Sequence, residues 1–252
     1  MQRALILATL LGAPISAPSS GFHSLSQGES IGLKTEDGVS LSATYYAPKE
    51  EHAPGALLVH DAGADRKQMN DIALSLNKQG FGVLSLDLRG HGESRSEKFD
   101  WKKLDDAGRQ ALWQLAPKDV DAAARWLLER KEILPTNLNL VGYRSGCALV
   151  ARHAERDENV VSLTLLSPKP QDFGFDVQGT LQRVTGLPTC VLDKKNDEVE
   201  RMVTEANGHN ANPWVRFEAL NPKSPSLLDD KKTSTKVAKF VEETALPKRG
   251  RG

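Results

Sequence analysis

Two glycines flank a short polar turn in the middle of the chain, where an apolar run passes into a predicted helix. Residues 139–147 read Asn-Leu-Val-Gly-Tyr-Arg-Ser-Gly-Cys. In a tight turn from strand to helix, the residues two before and two after the apex must be small, because strand and helix cross closely there. Gly142 and Gly146 meet this condition if Arg144 is the apex, whereas an apex at Ser145 would put a tyrosine at a crowded position. A guanidinium group has only donors and keeps its proton, so Arg144 cannot be a nucleophile.

This turn resembles the nucleophile elbow of the α/β-hydrolase superfamily, which reads Gly-x-Ser-x-Gly, but Arg144 stands at the nucleophile position. Residues 87–94 read Asp-x-Arg-Gly-x-Gly-x-Ser. That run is similar to the turn after the fourth strand in lysophospholipases, esterases and serine aminopeptidase-type members, where its role is structural. The resemblance extends over about residues 30–243. It implies that the backbone N–H of Ser145, at the start of the helix, is one oxyanion donor.

Two further loops match the superfamily in part. His60, Asp61 and Ala62 follow a predicted strand, where the resemblance implies a His-Gly loop that supplies the second oxyanion donor; Asp61 replaces the glycine. We interpret His60 as a packed histidine that holds this loop rather than as a catalytic residue. Asp197 lies in a loop after a later strand and matches the acid of the catalytic triad, although it lacks the usual preceding glycine. The alternative is that Asp197 is a solvated loop carboxylate.

The sequence has no histidine in the loop 221–226 after the last predicted strand, where the resemblance implies the catalytic base. His209 precedes that strand, and His153 has charged neighbours and is expected at the surface. We predict that Arg144 reaches across the gap left by the histidine to pair with Asp197, or with Asp193 if the loop is shifted by one turn. If neither pair forms, the arginine and the helix N-terminus would attract an anion.

The pattern of elements predicts one α/β domain over residues 30–245. Strands alternate with amphipathic helices, which favours a doubly wound, mostly parallel sheet of about eight strands flanked by helices, with no separate lid domain. A hairpin around Asp37-Gly38 should open it. Residues 1–20 have a positive lead, a short apolar run and small residues, as in a secretory signal peptide, and 21–29 are a predicted linker. Residues 246–252 are a predicted basic, disordered tail.

Composition excludes several classes of function. The formal net charge of zero argues against a nucleic-acid partner, and no run after the signal peptide is long enough to span a bilayer. No cysteine and histidine spacing predicts a metal site, and no cofactor is expected. Cys147 and Cys190 fall in separate elements, so we expect two free, partly buried thiols.

The sequence is compatible with three functions. We favour a secreted or periplasmic α/β-hydrolase-fold protein that has lost serine-hydrolase activity and binds a small anionic ligand at the degenerate site. The alternative is an active carboxylic-ester or amide hydrolase that uses Ser145, with Lys223 or a displaced histidine as the base. The third is a structural interaction protein whose pocket has filled in.

Overall fold

The structure is a computed structural model that describes residues 28–208, 213–222 and 224–245. The predicted signal peptide (1–20), residues 21–27 of the predicted linker (21–29) and the predicted tail (246–252) lie outside the described part of the chain, as do Lys223 and His209. Within that part, no helix is both long and apolar enough to cross a membrane.

Eight of the strands in the described residues form one sheet. They are β1 (Glu29–Lys34), β2 (Ser40–Tyr46), β3 (Ala53–Val59), β4 (Gly82–Leu86), β5 (Ile133–Tyr143), β6 (Val160–Leu166), β9 (Thr189–Asp193) and β10 (Val215–Ala219). Two residues each make up β7 (Gln171–Asp172) and β8 (Phe175–Asp176), which pair as a small separate hairpin.

The order across the large sheet is β1-β2-β4-β3-β5-β6-β9-β10. The strands β1 and β4 both pair antiparallel with β2, and all other neighbours are parallel. The order reverses between β3 and β5, which places ligand sites at the carboxyl ends of the central strands. The predicted doubly wound, mostly parallel sheet of about eight strands is confirmed.

Helices cover both faces of the sheet. They are α1 (Asn70–Lys78), α2 (Asp106–Leu115), α3 (Pro117–Leu128), α4 (Gly146–Ala154), α5 (Val177–Arg183), α6 (Asp197–Asn207) and α7 (Lys231–Ala245). Helices α1 and α7 supply apolar side chains to the core on one face, whereas α3, α4, α5 and α6 supply those on the other. The central strands β3 and β4 are buried along their whole length, as expected for strands covered on both sides.

Buried ion pairs around Asp87 and Arg89 hold the loops that follow the first strands. The Asp87 carboxylate accepts from the backbone N–H of Arg66 at 2.7 Å and pairs with its guanidinium group. The side chain of Arg89 is completely buried and lies 2.6 Å from Asp119 and 2.9 Å from Asp37. Its hydrogen bonds hold the pKa of Asp37 well below the usual range. These contacts agree with the structural role predicted for residues 87–94.

Both thiols are free, as predicted, but they are more deeply buried than expected: Cys147 is 0% and Cys190 1% exposed. Burial raises the pKa of Cys190 to about 12 and that of Cys147 well above its ordinary value. The Cys147 thiol donates to the carbonyl of Gly142 at 3.2 Å. Neither thiol is therefore available as a nucleophile in this conformation.

Candidate functional site

The turn after β5 has the geometry of an elbow with Arg144 at its apex. Arg144 has a φ of +47°, a left-handed conformation that is strained for any residue with a Cβ. A Cβ on Gly142 would lie 2.7 Å from Cys147 Cα, and one on Gly146 would lie 2.6 Å from the carbonyl oxygens of Val59 and His60. The two glycines are therefore required because α4 presses against the strand that it leaves and against the end of β3.

Ser145 stands just past the apex and already belongs to the helical turn. Its φ of −62° and ψ of −26° are helical, and the residue is 6% exposed. Within the described part of the chain, its hydroxyl makes no hydrogen bond, although the residue lines the cleft described below. The side chain thus occupies the position after the nucleophile position.

The carboxylate of Asp61 accepts hydrogen bonds from the N–H groups that would form an oxyanion hole. In this fold those donors are the N–H after the apex and an N–H from the loop after the third strand. Here, Asp61 Oδ1 accepts from the N–H of Ala62 at 2.9 Å and from the N–H of Ser145 at 3.2 Å. Its other oxygen lies 3.5 Å from Arg144 Nη1. The chain therefore places its own anion where a reaction would develop negative charge.

The predicted pairing of Arg144 with Asp197 or Asp193 is wrong, because the arginine pairs with Asp61. The sheet order explains the difference. Strand β5 lies directly beside β3, with Val59 opposite Gly142, so the loops that leave these two strands touch. Strand β9 is separated from β5 by β6.

Asp197 is exposed at the first position of α6 and does not line the cleft. Asp193 does line it and is only 7% exposed. Its Oδ1 accepts from the Ser167 hydroxyl at 2.9 Å and from the N–H of Lys194 at 2.8 Å, and its Oδ2 accepts from Asn196 at 3.2 Å. Sequence reasoning named Asp193 only as a fallback and missed Ser167. Both residues end neighbouring parallel strands, which is the signal that could have identified them.

His60 and His91 are buried side by side behind the Asp61 loop, with ring centroids 5.1 Å apart. His60 Nε2 accepts from the N–H of Leu88 at 3.2 Å and its Nδ1 faces the carbonyl of Asp61 at 2.7 Å. His91 Nε2 likewise accepts from the N–H of Gly63 at 3.0 Å. Each ring therefore needs a lone pair on Nε2. Burial lowers the pKa of both histidines to about 4, which keeps them neutral.

A cleft of about 340 Å³ opens at the elbow. Polar and charged side chains supply much of its wall, and its lining residues are Asp61, Tyr143, Arg144, Ser145, Ser167, Pro168, Lys169, Asp193, Lys194, Asn196, Pro225 and Leu227. Three of them are cationic and two are carboxylates, an excess of one positive charge. None of the four histidines that the structure describes lines this cleft.

The prediction that His153 lies at the surface is wrong. It is 6% exposed between α3 and the end of α4, with Nδ1 2.7 Å from Asp121 and Nε2 3.1 Å from Asp157. A more open groove of about 600 Å³ beside it contains none of the elbow residues. Among the described residues, no group of three or more histidines, cysteines or carboxylates is arranged to hold a metal ion.

Comparison with known proteins identifies the family. A family model described as serine aminopeptidase, S33, matches residues 52–199. No curated protein matches the sequence significantly. Among solved structures, the esterase Pf2001 of Pyrococcus furiosus superposes with a TM-score of 0.69 at 16% identity, covering 87% of this chain and 92% of that one.

Two further solved structures have the same fold. The protein TT1662 of Thermus thermophilus has a TM-score of 0.68 at 14% identity, with 88% of this chain and 100% of that one covered. The esterase domain of a Rhodothermus marinus protein has a TM-score of 0.61 at 15% identity, with coverages of 86% and 97%. Since the family model covers more than half of the sequence and the sheet has the same architecture, the chain belongs to the serine aminopeptidase S33 family of α/β hydrolases.

Proposed function

We propose that this α/β-hydrolase-fold protein has no serine-hydrolase activity and binds a small anionic ligand in the cleft beside Arg144. One observation carries the proposed loss of hydrolase activity: the Asp61 carboxylate accepts hydrogen bonds from the two N–H groups that would stabilise an oxyanion. A tetrahedral intermediate would have to displace this resident charge, and its own negative charge would be repelled by it. Arg144 at the apex also removes the nucleophile.

The charged groups and hydrogen-bond donors of the cleft support the proposed binding of an anion. Arg144 is about half exposed, and its ion pair with Asp61 is long at 3.5 Å. Most of its five N–H donors thus stay open to the cleft. The Ser145 hydroxyl, which has no hydrogen-bond partner among the described residues, and the excess positive charge of the walls add to the attraction of the cleft for an anion. An open cleft also speaks against the third hypothesis, in which the pocket is filled.

The alternative, hydrolysis through Ser145, lacks support from the described residues. No described residue offers the Ser145 hydroxyl a base within hydrogen-bonding distance, and a serine without a base stays protonated and weakly nucleophilic. Lys223, the base considered from the sequence, lies outside the described part of the chain.

Covalent labelling separates the two functions. Protein incubated with a fluorophosphonate probe should keep its unlabelled intact mass and turn over short p-nitrophenyl esters only at background rate. Ser145→Ala serves as the matched control. An adduct on Ser145 that disappears in Ser145→Ala would establish the alternative and refute the proposal.

Calorimetric titration tests the ligand. We expect hexanoate or inorganic phosphate to bind at pH 7.5, and Arg144→Gln to weaken binding at least about tenfold, as loss of one charge-assisted contact implies. Arg152→Gln removes the same charge from an exposed position on α4 and should leave binding unchanged. If neither anion binds, or if both variants behave alike, the ligand proposal fails.

We also propose that the protein is exported, on the basis of the signal-like residues 1–20. The intact mass of protein recovered from the cell envelope or the medium should correspond to cleavage between Ala13 and Gly21. Recovery of a cytosolic protein that retains Met1 would contradict export.

A further inference from the structure

The carboxyl ends of three adjacent strands bring Arg144, Ser167 and Asp193 into one row. Tyr143, Leu166 and Leu192 are register partners across β5, β6 and β9, and each of the three residues follows one of them directly. Arg144 and Ser167 both have left-handed backbones, with φ of +47° and +51°. Strained positions of this kind concentrate at binding sites. The row thus places a guanidinium group at one end of the cleft and a carboxylate at the other.

Asp193 is a buried carboxylate that has no cationic partner among the described residues. Its three hydrogen-bond partners are all neutral donors, and no cationic side chain in the described part of the chain lies within 4.0 Å of it. A buried charge of this kind is costly unless something neutralises it. A carboxylate offers about four acceptor positions, so one is still free.

The two lysines of the cleft already have other partners. Lys194 Nζ donates to the carbonyl of Pro225 at 2.9 Å, and Lys169 Nζ lies 3.9 Å from Asp172. Arg144 is similarly directed to Asp61. Among the described residues, the cationic side chains of the cleft are therefore directed elsewhere, which leaves Asp193 open to a cationic group of a ligand.

We infer that the cleft binds a zwitterion whose carboxylate contacts Arg144 and the Ser145 hydroxyl while its ammonium group contacts Asp193. This inference rests on the proposed binding function and specifies the class of ligand. Two strand spacings of about 4.8 Å separate the ends of β5 and β9. The two charges of the ligand are thus separated by several bonds, as in an ω-amino acid, rather than by the single carbon of an α-amino acid.

Three probes of equal chain length test the inference on the unmodified protein by calorimetry at pH 7.5. They are 6-aminohexanoate, which carries both charges, hexanoate, which carries only the carboxylate, and hexylamine, which carries only the ammonium group. We expect 6-aminohexanoate to bind at least about tenfold more tightly than either single-charge probe, and more tightly than glycine. Asp193→Asn should remove its advantage over hexanoate, and Arg144→Gln its advantage over hexylamine.

The outcomes distinguish the two proposals. If hexanoate binds as tightly as 6-aminohexanoate, the zwitterion inference is wrong, while anion binding stands. If hexylamine binds as tightly as 6-aminohexanoate, the carboxylate contributes nothing and the zwitterion inference is wrong. If none of the three probes binds and inorganic phosphate does not bind either, both proposals are wrong. Because the comparison among probes uses the unmodified protein, it holds even if Asp193→Asn does not fold.

Discussion

The strained backbone of Arg144 predicts that glycine is more stabilising than alanine at this position. Both Arg144→Gly and Arg144→Ala remove the guanidinium group and its exposed ion pair, so the difference between them reports the backbone alone. The left-handed conformation at φ +47° costs a residue with a Cβ roughly 1–2 kcal/mol. Glycine loses more chain entropy on folding, by roughly 0.5–1 kcal/mol. The net expectation is that Arg144→Gly is more stable than Arg144→Ala by about 0.5–1 kcal/mol.

Arg152 provides the matched control, because it is an exposed arginine within α4, the helix that follows the elbow. At a regular helical position the order reverses, and Arg152→Ala should be more stable than Arg152→Gly by about 1 kcal/mol. Free energies of unfolding from urea titrations of the four variants give both differences. If alanine is favoured at both positions, Arg144 is not the apex of a left-handed turn, and the elbow geometry is refuted.

Three further predictions concern the surroundings of the elbow. Asp61→Ala should lower the free energy of unfolding by about 2 kcal/mol, because two backbone N–H groups lose a charged acceptor. Gly142→Ala should cost about 2 kcal/mol or more, since its Cβ would lie 2.7 Å from helix backbone that cannot move away. The free energy of unfolding should fall as the pH drops from about 6.5 to 4, by up to about 3 kcal/mol for each of His60 and His91. The pKa of each histidine is about 4 in the folded protein and about 6.5 in the unfolded chain, so over this range only the unfolded chain takes up a proton.

Urea titrations check all three, with controls from the same chain. Asp71→Ala removes an exposed carboxylate and Gly32→Ala adds a Cβ with no neighbour closer than 4.0 Å, so each should change stability by less than about 0.5 kcal/mol. If Asp61→Ala and Asp71→Ala changed the free energy of unfolding equally, the hydrogen bonds described for Asp61 would be contradicted. Equal changes for Gly142→Ala and Gly32→Ala would contradict the close packing described at Gly142. An unchanged stability between pH 7 and 5 would mean that the two histidines are not held neutral.

Sequence patterns predicted most of the sheet because its strands carry unambiguous local signals. Val160–Leu166 is an almost continuous apolar run and Val215–Ala219 alternates between apolar and polar residues, and both are strands in the structure. Helix α2 has a weak signal in the sequence, because the segment 97–117 is mostly polar and only Leu112 and Trp113 of the helix are buried. Local periodicity is too weak there to predict a helix.

The predictions about contacts failed where sequence neighbours were taken for spatial neighbours. His153 was expected at the surface because charged residues surround it in the chain. On a helix, however, its neighbours are three and four positions away, and there Leu149 and Val150 are buried. The partner of Arg144 depends on strand order, and no residue near Arg144 in the sequence reports that β3 lies beside β5.

The contact of Gly146 with the end of β3 has a consequence for the exchange of amide protons. A Cβ built there would lie 2.6 Å from two carbonyl oxygens, so the start of α4 is in direct contact with the end of β3 at the centre of the sheet. Amides at the floor of the cleft should therefore exchange with solvent only when the whole domain unfolds. The rim includes Lys169 and Lys194, which are exposed to solvent. A bound ligand would thus slow amide exchange at the rim. It would not slow exchange at the floor, where the amides already exchange only through global unfolding.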